Sequence, residues 1–284
     1  MVLLENQFMW THNPVVKIVA DSISESNVRL TTFEVTYWRP ILPEFNTHRA
    51  FSRNTASSRA KPFSKRVDEA VNHTFVPAHW NAEQPGMVGG EEFSPEVQVA
   101  INTAINSLAK LNVEFLTHLD DIVFADTGKR IHKQYLNRYL EPFIGVTQLI
   151  TATDWDNFFK LRLASDAQPE IRDVATMMLD LYQHNEPKQL KAGEYHLPYV
   201  SEEELGKFDL TTCKQISVAR CARISYKTYE SGGKVEKDIE LFDRLFASKH
   251  MSPFEHVAKN AFGQYFNLNG WKSLRYELEM ESDK

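Results

Sequence analysis

Between Thr47 and Arg59 the chain sets three arginines, a histidine, an asparagine and five hydroxyls within thirteen residues, without one carboxylate. The absence of acids extends from Phe45 to Val67, although the whole chain carries a net charge of −6. Two β-branched, partly alternating runs precede this island, at residues 15–20 and 30–37. They read as strands joined by a turn around Ser24–Asn27. Pro40 and Pro43 stop the second strand, so the island sits at a strand exit, on a loop or a helix start. That placement suits anion binding. Arginine forks and hydroxyls supply the charge-assisted donors that each oxygen of a phosphate monoester or pyrophosphate requires. The competing reading is a solvated basic loop. A solvated face mixes Lys with Glu, whereas this one uses Arg, Ser and Asn.

The remainder reads mostly as helix. Residues 60–93 show no period and read as a covering loop. Ser94-Pro95-Glu96 is a helix start, and Val97, Ile101, Ile105, Leu108, Phe115 and Leu119 mark a core face behind it. A second helix spans about Lys129 to Glu141 and stops at Pro142. A third starts near Asp154, and a fourth runs from about Gln168 to His184 with Ile171, Val174, Met178 and Leu181 inward. Residues 185–212 read as a connection. Lys214 to Tyr226 and Glu236 to Lys249 read as helices flanking a turn at Ser231-Gly232-Gly233.

Composition removes several classes. The 284 residues, 42% hydrophobic and 25% charged, are those of a globular protein with a sizeable core. No run approaches the roughly 20 apolar residues of a membrane span, and Met1–Asn6 lacks the basic start of a secretory signal. Cys213 and Cys221 lie about 12 Å apart along one helical run, too far for a bridge. Buried free thiols and a reducing cytoplasm are expected. A nucleic-acid partner using the basic run 48–66 is not expected, because the total is acidic and no aromatic-interleaved basic surface is evident.

A second polar cluster, His250-Met251-Ser252-Pro253-Phe254-Glu255-His256, reads on its own as a capping box opening a helix. No third residue completes a metal-ligand spacing, so no metal is expected. Walker, Gly-x-Gly-x-x-Gly and Gly-x-Ser-x-Gly patterns are all absent.

Together these clusters resemble the motifs of the flavin-dependent thymidylate synthases. His48, Arg49, Ser52, Asn54, Ser57 and Arg59 fall on that family's Arg-His-Arg-x2-Ser-x-Asn-x2-Ser-x-Arg signature, with Thr47 in place of the first arginine. His250-x-Ser252-Pro253-x-Glu255-His256 is similar to its His-x-Ser/Thr-Pro-x-Glu-His motif, and Ala222-Arg223-Ile224-Ser225 to its Ala-Arg-Val-Ser motif. Arg138 with Pro142, and Asn157 to Arg162 followed by Ala167-Gln168-x-Glu170-Ile171, resemble its central segments. The family's usual order places the last two end-of-chain motifs first, so the likeness implies a circular permutation of the kind some phages carry, with residues 30–37 supplying the strand after the Glu-His motif.

The resemblance implies an α+β fold, a small mainly antiparallel sheet packed with several helices, and one domain over residues 1–284. It implies FAD as cofactor, NADPH and methylenetetrahydrofolate as co-substrates, and dUMP as substrate. Arg162 is then the catalytic residue, stabilising the uracil anion. Arg59, Arg138, Ser57 and Ser58 hold the nucleotide phosphate. His48, Arg49, Asn157, Ser225, Ser252, Glu255 and His250 surround the flavin and its entry. A homotetramer with shared active sites is implied as well. Thr47, Thr55 and Asp166 depart from the family's residues. They leave open a hydroxymethylated product, a dCMP substrate, or a non-catalytic nucleotide- or nucleic-acid-binding relative.

Overall fold

The computed structural model describes residues 14–77, 79–224 and 234–280. The expected first strands form β1 (Val15–Ser24) and β2 (Arg29–Trp38), paired antiparallel. Asn27 takes φ 59° in the turn between them, a left-handed conformation asparagine tolerates. β3 (Ser52–Thr55), β4 (Gly145–Ala152) and β5 (Lys188–Leu190) complete a five-stranded sheet in the order β3-β4-β2-β1-β5. Every pairing is antiparallel except β1 with β5. A second sheet holds β6 (Tyr195–His196), β7 (Ala258–Tyr265) and β8 (Leu268–Ser273). The small, mainly antiparallel α+β architecture is therefore the observed one.

β2 is central, and its alternate residues face two environments. Phe33, Val35 and Tyr37 enter an aromatic core with Phe45, Phe51, Trp155, Phe158 and Met178. Phe45 comes from the short α1 (Leu42–Asn46). Trp155 and Phe158 come from α5 (Asp156–Arg162) and its cap, and Met178 from α6 (Pro169–His184). On the opposite face, Thr32 joins a buried polar chain. His196 Nδ1 lies 2.9 Å from Ser22 Oγ and its Nε2 2.8 Å from Thr32 Oγ1. Thr32 reaches Thr151 at 2.6 Å, and Thr151 reaches His256 Nδ1 at 2.8 Å. This chain ties the second sheet to the first.

Several readings are corrected. Residues 60–93 are not loop throughout, because α2 (Phe63–Asn72) forms there. Its apolar stripe, Phe63, Val67, Ala70 and Val71, is short and interrupted by charges, and no side-chain cap announces it. α3 (Pro95–Thr127) starts as expected but buries a different face. Ala109, Val113 and Leu116 pack with Leu136, Leu140 and Phe143, while Leu108 is 52% and Phe115 65% exposed. Periodicity identified residues sharing a face, but the side covered in the chain is the one that packs against α2 and the segment 136–144. The second helix is only α4 (Lys133–Leu136) followed by a 3-10 helix, Asn137–Phe143, that includes Pro142.

The 185–212 connection contains β5, β6 and α7 (Glu202–Lys207), which opens on a capping box from Ser201 to Glu204. α8 (Leu210–Ala222) and α9 (Val235–Ala247) follow the expected helices. Ser225, Tyr226 and the 231–233 turn lie outside the described residues. Ser252-Pro253-Phe254-Glu255 opens no α-helix. It is a single 3-10 turn without a side-chain cap, and β7 follows it directly, before β8 and α10 (Leu274–Met280). A strand therefore follows the Glu-His motif in its own sheet, while residues 30–37 form the centre of the other. Both cysteines are buried and free.

Candidate active site

α1 ends in Thr47, whose hydroxyl donates to the Glu44 carbonyl at 2.7 Å. The turn carries His48 inward, 7% exposed, stacked on Phe51 at 5.5 Å and edge-on to Phe158 at 5.0 Å. Arg162, on the last turn of α5, donates from Nε to His48 Nε2 at 2.9 Å. Its NH2 donates to Thr47 Oγ1 at 2.9 Å and to the Glu44 carbonyl at 3.1 Å. All three acceptors are neutral. Burial first, and then the charges of Arg162 and Arg53, push the His48 pKa down to about 4. At neutral pH the imidazole is uncharged, and because Nε2 accepts, its proton sits on Nδ1. Arg162 is thus held in place without a carboxylate, and its charge stays available to a ligand.

β3 then carries the island along β4, with Ser52 opposite Thr151 and Thr55 opposite Gln148. Asn54 donates to the Cys221 carbonyl at 2.7 Å, tying the island to the end of α8. Thr55 Oγ1 accepts from Gln148 at 2.9 Å. Past β3, the buried Asn137 donates to the Ser58 carbonyl at 2.7 Å and the Lys61 carbonyl at 3.1 Å. That clamp sets Arg138 beside the turn carrying Ser57, Ser58 and Arg59. Arg59 and Arg138 are both exposed; Ser58 is buried.

The end-of-chain cluster reaches the same strand. Asn54, Thr55 and Ser57 line a cavity of about 460 Å³ with Arg223, Arg244, His250 and Ser252. Ala60, Ala222, Leu241 and Leu245 complete the described lining, which contains no carboxylate. Arg223 is neutralised by Asp238, whereas Arg244 makes no ion pair among the described residues. Burial lowers the Arg53 pKa, and Glu255 opposes that shift, as a carboxylate close to the island does. Glu255 itself accepts from Arg275 at 2.6 Å. A donor-rich lining with one unpaired guanidinium fits a phosphate or pyrophosphate group.

Not every expected residue converges. Arg162 meets the island before Ser52 and Arg59 follows Thr55, so β3, about 10 Å long, separates them. Arg49 and Asn157 are exposed and are not among the described lining of the 460 Å³ cavity, although the Arg49 charge acts on Arg53. Ser225 lies outside the described residues. Asp166 lines a separate cleft of about 490 Å³ with Trp38, His79, Trp80, Gln168 and Arg172. Sequence reading missed Asn137, which carries no motif signal, and Arg244. The signal for Arg244 was its position between Leu241 and Leu245 on α9.

The sequence profile for "Thymidylate synthase complementing protein" matches residues 28–188. No curated protein sequence matches the chain. Among solved structures, a UMP/dUMP methylase PolB from Streptomyces cacaoi bound with 5-Br UMP is 17% identical, covers 60% of this chain and 88% of its own, and has a TM-score of 0.47. Thymidylate Synthase X from Helicobacter pylori with FAD and dUMP is 17% identical, covers 55% and 69%, and has a TM-score of 0.35.

Proposed function

The chain belongs to the thymidylate synthase complementing protein family, the flavin-dependent thymidylate synthases, and from that membership we propose that it methylates dUMP to dTMP. Methylenetetrahydrofolate is the carbon donor, and FAD reduced by NADPH is the cofactor. What carries this reading is the cavity, without a carboxylate in its described lining, where Asn54, Thr55 and Ser57 meet His250 and Ser252. Those residues would hold FAD, with Glu255, His48, Arg49, Asn157 and Ser225 around it and Arg244 beside its anionic part. Bound there, reduced flavin supplies the hydride.

The substrate side is read from the arginines. Arg59 and Arg138, clamped together through Asn137 and Ser58, hold the dUMP phosphate with Ser57 and Ser58. Arg162 stabilises the uracil ring after its N3 proton leaves, which makes C5 nucleophilic. A guanidinium held by neutral acceptors is worth most in a water-excluded site, where it meets charge as it develops. The same requirement favours uracil over cytosine, which has no N3 proton to lose.

Because β3 separates Arg162 from Arg59, they come from different copies of the chain within one site, in a homotetramer. The exposed apolar side of α3 supports self-association: Ile101, Leu108, Phe115 and Ile122 recur every seven residues, and the last three are more than half exposed. A permuted motif order, one catalytic domain over the whole chain, a cover formed by the part of residues 60–93 outside α2, and a cytoplasmic location belong to the same reading. Among the described residues no helix is long and apolar enough to cross a membrane.

The test is the purified protein's flavin absorbance together with tritium release from dUMP labelled at C5. Both are expected, with release dependent on NADPH and methylenetetrahydrofolate. A colourless protein without release overturns the reading, and bound flavin without release favours a non-catalytic relative.

A further inference from the structure

We infer a second binding site, for a small aromatic monoanion, in a cavity of about 270 Å³ lined by residues of α2, β2 and β4. The segment from Asn54 to Lys61 contributes to both cavities, Ala56 and Lys61 to this one and Asn54, Thr55, Ser57 and Ala60 to the other. Phe75, Val146, Ile224 and Val15 make its walls apolar. At one end the charges do not balance. Lys61 and Arg66 share a single carboxylate, Glu69, with Arg66 NH1 2.6 Å from Glu69 Oε2 and Lys61 Nζ bonded to the other oxygen. Among the described lining residues Glu69 is the one acid.

Arg66 is 3% exposed. Among the described residues its NH2 reaches only the Ser57 carbonyl, at 3.5 Å, and its Nε is buried without a partner. Two cations against one acid leave a positive charge beside an apolar chamber, an arrangement that is costly unless an anion completes it. Thr36 and Thr147 bond each other at 2.9 Å across β2 and β4, which leaves one hydroxyl hydrogen to donate. The ligand chemistry follows from both halves. An inorganic anion leaves the apolar wall unfilled, and a neutral ring leaves the charge unpaired. A flat ring bearing one carboxylate satisfies both and stacks against Phe75.

Titration calorimetry on the full chain tests this with benzoate, benzamide and acetate as probes. Benzoate is expected to bind saturably, about tenfold tighter than either of the others, the difference one charge-assisted contact makes. Glu69→Gln removes the shared acid and is expected to tighten benzoate binding. Lys61→Ala, at a partly exposed position, is expected to weaken it with an unchanged circular dichroism spectrum. Equal affinity for benzamide and benzoate, no saturable benzoate binding, or weaker binding in a folded Glu69→Gln variant each overturns the inference. None of these readouts uses flavin or turnover, so the outcome is independent of the catalytic reading.

Discussion

At the scale of single residues, the neutral cradle around Arg162 keeps its charge free for a ligand. A carboxylate placed at His48 would pair with the guanidinium and remove the charge it offers. His48→Asp is therefore expected to weaken dUMP binding by tenfold or more, on the order of 1.4 kcal/mol, whereas His48→Asn keeps a neutral acceptor and most of the affinity. Following flavin absorbance during a dUMP titration separates the two. Equal affinity in both variants would mean that the Arg162 charge does not face the nucleotide. His48 was legible in the sequence as chemistry, because arginine, histidine and hydroxyls were concentrated where no acid stood, whereas Arg162 was singled out only by its place in the Asn157-to-Arg162 resemblance. Their mutual contact was not, since 114 positions separate them and one sequence carries no register between α1 and α5. Asn137 was invisible for a different reason: a buried amide clamping two carbonyls has no composition signature. Asn137→Ala leaves those carbonyls unpaired and is expected to destabilise the fold by roughly 1–3 kcal/mol while raising the KM for dUMP. Urea denaturation beside steady-state kinetics checks both, and an unchanged KM would detach Asn137 from the phosphate turn.

At the scale of elements, the sequence showed the first two strands and the longer helices, and β3 to β8 were not expected. β1 and β2 announced themselves through β-branched residues and a clear turn, and α6 through a clean apolar stripe. The failures share a cause: the local pattern did not contain the neighbour. β7 pairs with the distant β6 as well as with β8, and the Ser252–Glu255 capping pattern is overridden by the strand that follows it at once. The joint between the sheets supplies a pH test. His196 and His256 are buried, and burial lowers each pKa from 6.5 to about 3, with His196 adding to the effect on His256. The folded state refuses protons that the unfolded chain accepts below pH 6.5. Stability is therefore complete above that pH and falls continuously as pH drops from about 6.5 towards 3. Each histidine contributes up to about 1.4 kcal/mol per pH unit in that window. Urea midpoints measured between pH 4 and pH 7 should rise with pH, and His196→Gln should flatten the slope. A flat profile in the unmodified chain would show that these rings are protonated or solvated in the folded state.

At the scale of the whole molecule, two expectations meet: an apolar helix face left exposed among the described residues, and arginines at opposite ends of one short strand. A second copy of the chain answers both. Leu108→Glu together with Phe115→Glu on α3 is expected to lower the oligomeric state in sedimentation velocity and leave the helical circular dichroism signal unchanged. An oligomer that survives both charges would move the interface elsewhere. The most direct measurement is complementation between defective chains. Arg162→Ala and Arg59→Ala, each expected to abolish tritium release alone, are co-expressed and purified as mixed oligomers. If a site takes Arg162 from one copy and Arg59 from another, some sites in the mixture are intact and release returns. If mixed oligomers form and stay as inactive as either parent, the two arginines serve one chain's site and the shared-site account is wrong.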